Sequence, residues 1–282
     1  MLLGSTAVWG ASFVLVQRGI ERLEPFHFIA LRFALGALLL LPLLRRGWSR
    51  ELGRDGVVIG TVLFAGFVLQ TYGLLWTTPS RSAFLTGLSV IFVPVVGLAA
   101  GAYRPRFGPI AGTLCAAAGL WVLYRPEAGG APFNRGDALT IGCAAVFAGY
   151  VVIVGRAVRR HPAAPLIVVA LVVAAVLSAP SLLLDPPERA DFGGFAIPAV
   201  LITGVFCTAL AFLGQFYAQR HLDAIETGVI LTLEPVFAAL ASILLGAERW
   251  SGALLLGGAL VVAAMLLTEL GGGAAEAPAP LA

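Results

Sequence analysis

The sequence predicts an all-α polytopic membrane protein with ten transmembrane helices arranged as two inverted five-helix repeats. Three observations lead there. Of 282 residues, 59% are hydrophobic and 12% charged, with a mean hydropathy of +0.95; a soluble globular chain carries about 25% charged residues. The apolar residues fall in ten blocks, each long enough for a helix to cross a hydrocarbon core of about 30 Å at 1.5 Å per residue. The second half of the chain also echoes the first.

The expected spans are 2–19, 27–45, 56–76, 82–102, 107–124, 136–156, 164–184, 195–218, 224–246 and 251–269. The connections are short, and no soluble domain fits between them. The chain enters its first apolar block without a basic leader and small-residue cleavage site, so residues 2–18 read as a retained span. The spans divide into a first repeat over 1–127 and a second over 128–270, leaving a Gly/Ala/Pro-rich tail, 271–282, that is expected to be disordered. All 18 basic residues are arginine. The pI near 9.0 does not point to nucleic acid, because no basic stripe lies on a soluble domain. Cys115, Cys143 and Cys207 sit in apolar blocks without metal or disulfide spacing and read as packing residues.

Arginine placement sets the expected orientation. With a cytoplasmic N-terminus, ten arginines fall inside: Arg45, Arg46, Arg50, Arg54, Arg104, Arg106, Arg156, Arg159, Arg160 and Arg220. Seven fall outside: Arg18, Arg22, Arg81, Arg125, Arg135, Arg189 and Arg249. Asp185, Glu188 and Asp191 cluster in one outer loop. Both termini are therefore expected in the cytoplasm.

At an offset of 138, Ala7–Gly19 lies over Ala145–Ala157, pairing Trp9 with Phe147 and Arg18 with Arg156. At an offset of 141, Gly73, Ala83, Thr86, Gly87 and Pro94 recur as Gly214, Ala224, Thr227, Gly228 and Pro235. At 145, Gly112 falls on Gly257. Five spans per repeat is an odd number, so the second copy crosses the membrane in the opposite sense. That arrangement belongs to alternating-access transporters, whose site lies near the midplane between repeats.

The residues also resemble a known family. WGASF (Trp9 to Phe13), LRFALGALLLLP (Leu31 to Pro42), SRSAFLTGLSVIFVP (Ser80 to Pro94) and LEPVFAALASILLGAE (Leu233 to Glu248) resemble the EamA branch of the drug/metabolite transporter superfamily. The resemblance covers essentially the whole chain. It implies ten helices in two inverted repeats and export of amino acids or related small metabolites across a bacterial inner membrane. One departure is visible: Ala247-Glu248, ending the ninth-span motif, aligns with Ala102-Tyr103, so the two outer ends are not equivalent.

Polar residues inside the spans are few. Glu234 stands at membrane depth, where a carboxylate costs about 2.5–3.5 kcal/mol on insertion scales. Pro235 behind it removes a backbone donor and frees the carbonyl of Leu231, predicting a helix break. Glu234 therefore reads either as a hydrogen-bonded group stabilising a kink or as a substrate or proton ligand, and Thr227 shares its helical face. Glu226, near the span end, reads as an interface residue. Arg32, about five residues into the second span, reads as structural or gating, by snorkelling or a helix-packing ion pair. The functional alternative is a partner for a carboxylate, the substrate's included. Pro94 and Pro235 are assigned structural or gating roles. The guessed cavity lining is Trp9, Ser12, Phe13, Gln70, Thr77, Thr86, Phe147, Tyr150, Phe212, Gln215, Thr227 and Glu234. Aromatic walls with scattered amides and hydroxyls suit a small-molecule site. Gly36, Gly60 and Gly112 read as close helix contacts.

The expected function is therefore a secondary transporter exporting amino acids of a broad range, neutral and aromatic ones included, or related metabolites. Its partners would be that substrate and the lipid bilayer, with no nucleic acid and no cofactor, and the chain acting as a monomer. Drug-like cations and nucleotide-sugars are alternative cargoes; a diphosphate would call for several basic cavity residues, and only Arg32 is present. A membrane-embedded enzyme is the competing class. Against it, His27, His161 and His221 lie at span ends or in loops, and no nucleophile or acidic metal motif stands in the spans. A channel would call for a charged ring or pore loop.

Overall fold

The computed structural model describes residues 1–45, 47–101, 107–123, 132–180, 182, 194–244 and 252–272. Among these, helices account for nearly everything and no strand occurs. The helices are α1 (Leu2–Ile20), α2 (Pro25–Leu40, followed by a 3₁₀ turn Leu41–Arg45), α3 (Arg50–Gly73), α4 (α4a, Pro79–Gly87; α4b, Ser89–Ala99), and α5 (Phe107–Leu123). The second half supplies α6 (Arg135–Arg160), α7 (Ala163–Ser178), α8 (Ala196–Ala218), α9 (α9a, Ala224–Leu231; α9b, Leu233–Leu244) and α10 (Gly252–Gly272). Among the described residues, six helical stretches are both long and apolar enough to cross a membrane: Pro25–Arg45, Arg50–Gly73, Pro79–Ala99, Arg135–Arg160, Ala196–Ala218 and Ala224–Ala241. Leu38, Val95, Leu114, Val176 and Leu255 point outward from the bundle, as a lipid-facing surface requires.

Local chemistry decides where helices start, and it moves several expected boundaries. Pro25 and Pro79 occupy first-turn positions that need no N–H, behind Glu24 and Thr78 as caps. The second and fourth spans therefore begin two or three residues before their apolar blocks. Ser49 Oγ accepts from Leu52 N at 3.0 Å, which starts α3 at Arg50, six residues ahead of its expected apolar start at 56. Reciprocal capping boxes start α6 (Asn134 with Asp137) and α9a (Asp223 with Glu226). Glu226 thus closes a cap at the helix end. At the C-terminus α10 runs through Gly272, two residues into the expected tail; residues 273–282 lie outside the described residues. So do Arg46, Arg104, Arg106, Arg125, Arg189 and Arg249, the Asp185–Asp191 cluster, and the Ala102-Tyr103 and Ala247-Glu248 pairs.

The packing pattern reproduces itself when the repeats are exchanged. α1 packs on α9b and α6 on α4; α3 packs on α6 and α1 on α8; α2 packs on α8 and α3 on α7. α2 with α7, and α5 with α10, are pairs that map onto themselves. The two broken helices cross on the axis relating the halves. A Cβ on Gly87 would meet Pro235 Cγ at 3.1 Å, and one on Gly228 would meet Val93 Cγ2 at 3.3 Å. Since Gly87 aligns with Gly228, each repeat presses its glycine against the proline turn of the other.

Both breaks are single-residue interruptions. α4 breaks at Leu88 and α9 at Thr232, each still near helical backbone angles. The α9 break lies one residue past Leu231, whose carbonyl Pro235 leaves unbonded. Thr232 caps the end locally, its hydroxyl donating to Val229 O at 2.6 Å. Small residues allow the closest approaches elsewhere. A Cβ on Gly60 would stand 2.5 Å from Ala170 O, and α3 accordingly lies backbone to backbone on α7. Gly36 makes room for the Thr208 side chain and Gly112 for that of Thr268.

Candidate functional site

A cavity lies at the centre of the bundle, enclosing about 720 Å³ of space between atoms with its open mouth counted. α1 contributes Trp9, Ser12, Phe13 and Val16; α2 contributes Arg32. α3 adds Phe67 and Gln70, with Leu74 as the residue that caps its end, and α4 adds Thr86, Gly87 and Ser89. From the second repeat come Phe147, Tyr150 and Val151 on α6, Phe212 and Gln215 on α8, and Leu231 and Glu234 on α9. α5, α7 and α10 stand outside it.

Aromatic rings form one connected wall. Trp9 and Phe212 lie 4.9 Å apart by centroid, Phe67 and Phe147 5.5 Å, Phe67 and Phe212 5.9 Å, and Tyr150 and Phe212 6.1 Å. All are tilted or edge-to-face, the geometry that ring quadrupoles favour. The polar groups are mostly tied down by one bond each. Trp9 Nε1 donates to Cys207 O at 2.8 Å, Ser12 Oγ donates to Trp9 O at 2.7 Å, Gln70 Nε2 donates to Thr86 Oγ1 at 3.3 Å, and the Tyr150 hydroxyl donates to Gln215 Oε1 at 3.3 Å.

A π-helical stretch, Thr203–Leu210, interrupts α8 beside this wall. π turns often mark functional sites. Here the stretch presents the Cys207 carbonyl to Trp9 and the Thr208 hydroxyl to Arg32, whose Nε donates to Thr208 Oγ1 at 3.0 Å. The guanidinium lies 4.6 Å from the Phe67 ring centroid, a cation–π distance.

Ten of the twelve guessed lining residues meet at this cavity: Trp9, Ser12, Phe13, Gln70, Thr86, Phe147, Tyr150, Phe212, Gln215 and Glu234. Thr77 and Thr227 do not. In one continuous helix Gln70, Gly73 and Thr77 would share a face, but α3 ends at Gly73, so that face does not extend to Thr77. Thr77 instead donates from Oγ1 to Asp137 Oδ1 at 3.2 Å. Thr227 is fully buried, one turn beyond Leu231, where α4b covers α9a through the Val93–Gly228 contact. Its hydroxyl has no hydrogen-bond partner among the described residues.

Arg32 also differs from its structural reading. It is 2% exposed and forms no ion pair among the described residues, so it neither snorkels nor locks two helices by charge. It reaches the cavity because α2 starts at Pro25 and places it two turns deep. Glu234 likewise faces the cavity with no hydrogen bond or ion pair to the described residues. Pro94 lies inside α4b and Pro235 in the first turn of α9b, both in the crossing that closes one cavity wall. Val16, Leu74, Val151 and Leu231 are not singled out by the sequence, since apolar residues in apolar spans carry no distinguishing signal; the Ser89 hydroxyl also lines the cavity and has no place in the sequence-based lining. Phe67 is recognisable only as an extension of the Gln70 face.

The side opposite the termini carries a polar cluster that sequence reasoning did not single out. Asp137, buried at the start of α6, receives Arg81 Nη2 at 2.5 Å, Thr77 at 3.2 Å and its own capping contact from Asn134 N at 2.9 Å. Arg135 stacks over Trp76 at 3.8 Å beside it. On the terminal side, Asp55 meets His161 at 3.1 Å and Arg160 at 3.2 Å. The capping-box pattern of Asn134 and Asp137 was the one available signal for the first cluster.

The model of the EamA-like transporter family matches residues 1–125 and again 134–270. The chain belongs to that family. EamA proteins are part of the drug/metabolite transporter superfamily, so this chain is a multi-pass membrane transporter built from two copies of one helical unit. Among similar proteins, an uncharacterized transporter of Archaeoglobus fulgidus is 29% identical over 265 residues, spanning 93% of this chain and 82% of its own. A second from the same organism is 24% identical, spanning 93% of each chain. The Bacillus subtilis uncharacterized transporter YwfM is 24% identical, spanning 91% and 90%. A solved structure titled "Crystal structure of protein" superimposes with a TM-score of 0.77 at 25% identity, covering 95% of this chain and 96% of that one. In this EamA-like transporter the cavity draws on four helices of the first repeat and three of the second.

Proposed function

We propose that this transporter exports amino acids, neutral and aromatic ones included, or closely related small metabolites, by alternating access of its two repeats to the central cavity. The observation that carries the reading is the composition of that cavity: six aromatic side chains, neutral amides and hydroxyls, one carboxyl, Glu234, and among the described residues one cation, Arg32. An apolar side chain finds area against Phe67, Phe147, Tyr150, Phe212 and Trp9. A nucleotide-sugar would bring a diphosphate to a single arginine, and a lone cation over-compensated by two negative charges is a poor buried site. The position of the cavity between repeats supports alternating access. We place the chain in a bacterial inner membrane, acting as a monomer; the ten-to-seven arginine bias supports cytoplasmic termini.

Counterflow in proteoliposomes with a panel of labelled amino acids tests the cargo. Exchange of several neutral and aromatic amino acids is expected. No exchange of any of them, together with exchange of a nucleotide-sugar or an organic cation, would overturn it. Single cysteines at Arg50 and Asp185 in a variant lacking the three native ones test the sidedness: an impermeant maleimide added to intact cells should label position 185 and spare position 50.

A further inference from the structure

The cavity holds two groups of opposite charge type, neither of which forms an ion pair among the described residues. Arg32 has five N–H donors and commits one, Nε, to Thr208 Oγ1. No carboxylate among the described residues lies within ion-pair reach of it, and its guanidinium faces the cavity beside Phe67. Glu234 lines the same cavity from α9b, with neither hydrogen bond nor ion pair to a described residue. The two do not pair with each other. An ionisable group at membrane depth ordinarily pairs with a partner or serves a ligand. Here one cavity contains a cation and an acid, neither of them ion-paired among the described residues.

We infer that Arg32 and Glu234 are the two anchors for a zwitterion, Arg32 taking the carboxylate and Glu234 the ammonium of an α-amino acid, with its side chain against the aromatic wall. The inference rests on the amino-acid reading and adds which residue holds which end. The local geometry fits the division. With Nε held by Thr208, the outer nitrogens of the planar guanidinium present the forked face that accepts a carboxylate bidentately. The π-helical stretch is what places that hydroxyl at Arg32. Glu234 lines the same cavity from α9b of the second repeat, two residues past the break at Thr232. Neither charge has a counterpart in the other repeat: Val93 aligns with Glu234, and Ala170 stands at the position 138 residues after Arg32. A bound zwitterion would then have a single orientation although the fold is pseudo-symmetric. A ligand bearing only one charge would leave the opposite anchor desolvated and unsatisfied, which discriminates more strongly than a missing favourable contact.

The test is binding to the full chain in detergent, with L-phenylalanine, L-phenylalaninamide (no carboxylate) and 3-phenylpropionate (no ammonium) as probes. Each truncated probe is expected to bind at least about tenfold more weakly than phenylalanine. Arg32→Gln should abolish the preference for phenylalanine over the amide while keeping that over phenylpropionate. Glu234→Gln should do the reverse. Arg32→Lys retains the charge without the fork and should recover part of the preference over the amide. If the truncated probes bind wild type as well as phenylalanine does, or if both variants weaken all three probes equally, the anchor assignment is overturned and the amino-acid reading stands. If no amino acid of the counterflow panel binds or exchanges while another solute does, the amino-acid reading itself falls, and the anchors with it.

Discussion

Gly10 offers the most direct check on the contact between α1 and the proline turn of α9. A Cβ at this position would lie 2.5 Å from Glu234 O, 2.7 Å from Phe237 Cβ and 2.9 Å from Ala238 N. The two backbone atoms cannot rotate aside, so Gly10→Ala must move α1 and α9b apart by about 1 Å to restore ordinary contact distances. Overpacking of this kind costs about 1–3 kcal/mol, offset by up to about 1 kcal/mol from the better helix propensity of alanine. Gly4, on the same helix, has nothing within 4 Å of its Cβ position, so Gly4→Ala retains only the favourable part. The two substitutions should therefore differ in sign. Melting in detergent should show Gly10→Ala lowered and Gly4→Ala unchanged or slightly raised, at about 2–4 °C per kcal/mol. Gly10→Ala should also slow transport, because Trp9 next to it depends on a 2.8 Å bond to Cys207 O to hold its place in the cavity wall. Equal melting temperatures for the two variants would refute the close approach of α1 to Glu234.

Three further outcomes follow from buried polar groups. Asp137→Ala, which strips Arg81 and Thr77 of their shared acceptor and α6 of half its capping box, should cost about 2–4 kcal/mol in melting experiments, and Asp137→Asn less; a loss within measurement error for the alanine variant would count against a buried ion pair there. Thr227→Val replaces an unpartnered buried hydroxyl with a methyl of equal size and should leave the melting temperature unchanged or raise it, with transport intact; a large transport defect would place Thr227 back on the substrate path. Trp9→Phe keeps the ring contact with Phe212 and deletes one hydrogen bond, so a loss of about 1 kcal/mol is expected, read by melting; a much larger loss would mean that the indole does more than this one bond.

Most of the cavity was legible because the relevant residues break local rules. Glu234 and Arg32 are costly at membrane depth, and Gln70, Thr86, Tyr150 and Gln215 are polar in apolar surroundings, so each stands out without a structure. Trp9 and Phe147, and likewise Ser12 and Tyr150, were found through the repeat, which carries one lining position to its counterpart. Failures came where helical spacing was extended past a helix end, as for Thr77 beyond Gly73. They came equally where a neighbouring helix covered a continuing face, as α4b does at Thr227. The π-helical stretch in α8 left no sequence signal, since its register depends on what Trp9 and Arg32 find opposite it.

By itself, then, the sequence determined the solvent, the number of crossings, the two-fold pairing of the halves and the family. These follow from composition, block length and repetition, which are summed over many residues and tolerate local error. Tertiary structure alone decided which polar groups share a space and which are already satisfied. Burial and pairing depend on the far side of each contact: Arg32 is distinguished by having no ion-paired carboxylate among the described residues, and Asp137 by the arrival of Arg81 from 56 residues away.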